Sequence, residues 1–65
     1  MNNDLLKYLS DQIQAKKDYQ AESLSLGGAK DFGDYKYSCG IIRGLLLAND
    51  FIIEAAKKIE QNDED

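Results

Sequence analysis

The stretch Cys39-Gly40-Ile41-Ile42-Arg43-Gly44-Leu45-Leu46-Leu47-Ala48 decides the fold. It reads as helix, yet it holds two glycines four residues apart, on one face. Each glycine inside a helix costs about 1 kcal/mol relative to alanine. A helix that carries both gains something in return, and the close approach of another backbone is what glycine permits. The stretch is apolar on nearly every side, so one neighbouring helix cannot cover it. The expectation is a self-associating helical protein that works through contact.

Outward from this stretch, the second helix is expected over about 31–61. Asp31 can cap its start, Asp34 places negative charge in its first turn, and Lys57 and Lys58 place positive charge near its end. Each sign suits the helix dipole. Two apolar rows run along it in steps of three and four. One holds Phe32, Tyr35, Cys39, Ile42, Leu46, Asn49, Ile53 and Ala56; the other holds Ile41, Leu45, Ala48, Ile52, Ala55 and Ile59. One row makes a seam with one helix, so the second row calls for a second partner or a wide groove. Gly40 and Gly44, with Tyr37, Leu47 and Phe51, form a third strip. Its glycines serve either a tight crossing with another chain or close packing against the first helix.

The first helix is expected over about 4–25, capped by Asn3, with Leu5, Leu6, Leu9, Ile13 and Leu24 on its apolar side and Tyr8, Ala15 and Tyr19 extending it. Lys7, Ser10, Asp11, Gln14, Lys17, Asp18 and Glu22 form the opposite face. Lys16 and Gln20 fall within the apolar side, where they snorkel or meet a polar partner. Gly27-Gly28 supplies the stop, giving a turn over 26–30 and an acidic tail over 62–65. The fold class is all-α: an antiparallel helical hairpin in a single domain, assembling into a four-helix bundle or larger helical oligomer. The second helix is longer, so it overhangs the first from near Ile53, leaving Ile53, Ala56 and Ile59 without cover. The candidate interface is Tyr37, Gly40, Ile41, Gly44, Leu45, Leu47, Ala48, Phe51, Ile52, Ile53, Ala56 and Ile59. Asn49 interrupts a seam row, where a polar residue either sets register or is simply exposed near the overhang. Arg43 snorkels, pairs locally with an acid, or anchors a partner.

Composition sets further bounds. A chain of 65 residues rarely stabilises a core alone and relies on staples, metals or oligomerisation. One cysteine rules out an internal disulfide, and the absence of histidine removes the usual zinc spacings. The net charge is -4, and Glu60, Asp63, Glu64 and Asp65 account for all of it. The body has no basic surplus to attract nucleic acid. The longest apolar run, Leu45 to Ala48, is far short of a membrane span. With no export signal and a free cysteine, the chain suits a reducing cytoplasm.

No constellation carries chemistry. Gly27-Gly28-Ala29-Lys30-Asp31-Phe32-Gly33 lacks the Lys-Ser/Thr that must follow the last glycine of a phosphate loop, and reads as an interhelical turn. Cys39 has no base beside it and reads as a small core residue. Asp31 with Asp34 reads as capping; Asp63, Glu64 and Asp65 read as a solvated tail. No enzyme activity, cofactor or metal is expected.

The run from Gly27 to Tyr37, followed by Cys39-Gly40-Ile41-Ile42-Arg43-Gly44-Leu45, resembles a "Gly-x-Ala-x-Asp-aromatic" turn leading into "Gly-x-Ile-x-Gly-Leu" in small helical-hairpin accessory proteins of tailed bacteriophages. That resemblance implies a virion component or assembly factor, in the host cytoplasm or the particle, acting on itself or on another phage or host protein. A phage-encoded inhibitor of a host protein is the alternative. The layout also resembles the plasmid-encoded, Rop-like RNA-binding hairpin that dimerises into a four-helix bundle, but the mixed charges of the first helix, Lys7 and Lys17 among Asp11, Asp18 and Glu22, do not make the basic face such binding needs.

Overall fold

A computed structural model describes residues 4–64. Helix α1 spans Asp4–Ser25 and helix α2 spans Phe32–Glu64, packed as an antiparallel hairpin; among the described residues there is no strand. Asn3, the expected cap of α1, and Asp65 lie outside the described residues. The helix continues through Glu64, so residues 62–64 of the expected tail belong to α2.

Two backbone devices make the reversal. After α1, the Gly28 N–H donates to the Ser23 carbonyl at 2.8 Å and the Gly27 N–H to the Leu24 carbonyl at 3.0 Å. This is the Schellman arrangement, which satisfies carbonyls that a helix end leaves orphaned. Its C′ residue must be left-handed, and Gly27 has φ 84°. Gly28 is needed for a different reason: a Cβ there would lie 2.7 Å from the Ser23 carbonyl oxygen and closer still to its Oγ. At the start of α2, the Asp34 N–H donates to Asp31 Oδ1 at 2.8 Å. Asp34 in turn accepts from the Lys30 N–H at 3.2 Å. Each carboxylate thus satisfies a donor near the helix start, a variant of the capping box.

Register is pinned by a polar contact. Ser10 Oγ donates to Asn49 Oδ1 across the helices, and Gln14 Nε2 donates to Ser10 Oγ at 3.1 Å. Asn49 is half-buried, so it acts in the seam rather than as an exposed residue. Ser10, assigned by the sequence to the outer face of α1, faces α2. The stripe that α1 presents is Leu6, Ser10, Ile13, Lys17, Gln20 and Leu24, all half-buried and spaced alternately by four and three, the spacing of a two-helix seam. Leu5, Tyr8, Leu9 and Tyr19, expected within the packed face, are exposed. One partner helix covers only a narrow stripe, and α1 places its wide apolar arc partly to one side of it.

The result is a rod of 52 × 15 × 12 Å. Its length is that of α2 alone, since 33 residues at 1.5 Å span about 50 Å. The radius of gyration is 15.3 Å, against about 11 Å for a globular chain of this length. With Ser10 level with Asn49, Asp4 is level with Ala55, so α2 outruns the described part of α1 from Ala56 onward. Ala56 is still half-buried, whereas Ile59 is exposed. The overhang therefore starts later than Ile53.

Replacing either turn glycine tests the reversal. Gly27→Ala should destabilise the hairpin by about 1–2 kcal/mol through the left-handed backbone, and Gly28→Ala by at least as much through the clash with Ser23. Urea unfolding followed by circular dichroism measures both; a loss under a few tenths of a kcal/mol would contradict this reading of the turn.

Candidate interaction face

At about 100° per residue, α2 is apolar from Leu47 round through its seam to Leu46, an arc of about 260°. Between Tyr37 and Ile53 only Ser38 and Asn49 interrupt that arc, and Arg43 and Asp50 lie on the polar remainder with Lys36 and Lys57. The seam with α1 takes the middle of the arc. Of the twelve candidate interface residues, Ile41, Leu45, Ala48 and Ile52 are half-buried there, and Ala56 is half-buried just beyond the described end of α1. Ile13 and Leu45 line the open grooves on both sides of the hairpin, so they meet at its midline.

The other seven, Tyr37, Gly40, Gly44, Leu47, Phe51, Ile53 and Ile59, are exposed. They fall on two flanks. Ile53 joins Leu46 and the polar Gln14, Lys17 and Asn49 in one groove. Tyr37, Gly44 and Phe51, seven residues apart, point to the opposite side. On that side the groove is lined by Gln12, Ala15, Lys16 and Tyr19 of α1. Tyr37 and Phe51 are 72% and 74% exposed.

The glycine strip does not serve the internal packing of the hairpin. A Cβ built on Gly40 or Gly44 meets nothing within 4 Å. Of the two readings of these glycines, packing against α1 is therefore removed. What sequence reading missed is the share of α1: Leu5, Leu9 and Tyr19 lie exposed on the side of Tyr37, Gly44 and Phe51, so the face is built from both helices. The heptad spacing of Leu6, Ser10, Ile13, Lys17, Gln20 and Leu24 was the available signal, masked because half of these residues are polar.

Other groups offer little chemistry. Cys39 is half-buried and contacts Tyr35, one turn earlier. A hydrogen bond with Cys39, then the electrostatic influence of that side chain, then desolvation hold the Tyr35 phenol above the ordinary value of 10.0. Lys36 Nζ sits 5.6 Å from the centre of the Phe32 ring, and Phe32 stacks against Tyr35 at 6.2 Å. Lys7 pairs with Asp11 at 3.2 Å and Lys17 with Asp18 at 3.0 Å. Among the described residues no cluster of three or more metal-binding side chains occurs, and no helix is long and apolar enough to cross a membrane. No protein-family model, no curated protein and no solved structure matches this chain.

The open glycines give a two-sided test. In the lone hairpin, Gly44→Ala should stabilise α2 by about 1 kcal/mol, because helix propensity rises and nothing is displaced. Gly44→Leu should keep the intrinsic helix propensity of α2 while weakening any association that uses this strip. Circular dichroism and sedimentation velocity on the two variants read the two effects. Unchanged mass with Gly44→Leu would remove the strip from any interface.

Proposed function

We propose that this chain is a non-enzymatic assembly protein whose function is contact with its own kind, two hairpins closing into a four-helix bundle. The observation that carries the reading is surface area. The hairpin exposes 5180 Å². A compact monomer of 7.3 kDa exposes about 4200 Å². Among the described residues none is buried. The surplus, about 1000 Å², is of the size each partner contributes to a standard protein interface, about 800 Å².

The resemblance of the run from Gly27 to Leu45 to tailed-phage hairpin proteins supports a structural or assembly role in a phage particle or in the infected cell. The flank that holds Ile53 supports a second reading, in which the protein captures another phage or host protein: Phe32, Tyr35, Leu46 and Ile53 are exposed there. The pairing of Lys7 and Lys17 with neighbouring acids and the net charge of -4 give a Rop-like RNA-binding role no support.

Sedimentation equilibrium or light scattering at micromolar concentration decides between these. Self-assembly predicts a mass of two chains or more. A mass of one chain, with helix content retained, would reject it in favour of capture of another protein.

A further inference from the structure

Resting on that self-association reading, we infer the geometry of the pairing: a two-fold axis crosses the open face at the level of Gly44 and Gln14, so that α2 lies antiparallel to α2 of the second copy and α1 antiparallel to its α1. Ser10 bonds Asn49, and Ile13 and Leu45 share the midline, which sets Gly44 level with Gln14 or Ala15. Around such an axis, positions equally far from the centre meet, as an isologous interface requires.

On α2, Gly44 meets the partner's Gly44. Each has open space where a Cβ would stand, which allows the backbones to approach closely. Tyr37 and Phe51 lie seven residues to either side, so Tyr37 meets the partner's Phe51 and the reverse contact repeats at the other end. Small residues at the centre and aromatic pairs at both ends make the strip complementary to itself. The same axis passes α1 at the level of Gln14 and Ala15, of which Ala15 lines the groove on this face. Leu9 and Tyr19 lie about five residues to either side of that level, so Leu9 meets the partner's Tyr19. Lys16 meets the partner's Gln12 rather than its own copy, and like charges are kept apart. The pairing covers Leu9, Tyr19, Tyr37 and Phe51, all exposed in the lone hairpin. The surplus of about 1000 Å² per chain is enough for it.

Cross-linking of the full chain tests this register. In a Cys39→Ser background, single cysteines are placed as Gly44→Cys, Tyr37→Cys or Phe51→Cys and equilibrated with oxidised and reduced glutathione. A disulfide needs Cα atoms about 4.4–6.8 Å apart. Gly44→Cys should give a band of doubled mass on a non-reducing gel. Tyr37→Cys and Phe51→Cys should each stay single alone and give a doubled band when mixed; these two variants carry the test if Gly44→Cys does not fold. Self-cross-linking of Tyr37→Cys would overturn the antiparallel arrangement in favour of a parallel one. Absence of any cross-link in a sample that sediments as two chains would place the interface on another face and overturn the inference while leaving self-association standing. A single-chain mass for the Cys39→Ser parent would overturn both.

Discussion

Two helices in contact can hide only one stripe of each from water. That constraint governs this molecule, because α2 carries an apolar arc of about 260° and α1 covers its middle alone. Every apolar side chain outside the seam is left in solvent, and on α2 Phe51 and Tyr37 most of all. Stability in a chain of this size comes mostly from packing of apolar faces rather than from helix propensity. The exposed flanks are therefore apolar surface that the lone hairpin does not cover.

The polar contacts act within this constraint. The turn glycines fix the reversal, and the Asp31 and Asp34 carboxylates fix the start of α2. The bond between Ser10 and Asn49 then sets which levels of the two helices meet. Because α1 docks through Leu6, Ser10, Ile13, Lys17, Gln20 and Leu24, its remaining apolar residues turn toward the side where Tyr37, Gly44 and Phe51 emerge. A half-polar seam thus yields a broad apolar face on one side and a mixed groove, with Gln14, Lys17 and Asn49, on the other.

Much of this was legible in the chain. Helix limits near 4 and 25, the Gly27-Gly28 stop and the Asp31 cap follow from local chemistry, which needs no partner. The glycine strip and the excess width of α2 could also be read, because both are properties of one helix. The rotation of α1 could not. Its apolar arc is wide enough to dock in several orientations, and a choice that places Ser10 and Lys17 inward depends on Asn49 across the seam. Nor could the half-burial of Ile41, Leu45, Ala48 and Ile52 be read, because two rows looked equivalent until α1 settled between them.

The central claim is that the hairpin is completed by a second copy. The most direct measurement is the thermal midpoint as a function of protein concentration. Folding coupled to pairing gains mass-action stability with concentration. For a chain of this length that corresponds to roughly 3–6 °C per tenfold increase. A midpoint that climbs in this way over two decades is the predicted result; one that stays constant from nanomolar to hundreds of micromolar contradicts the account.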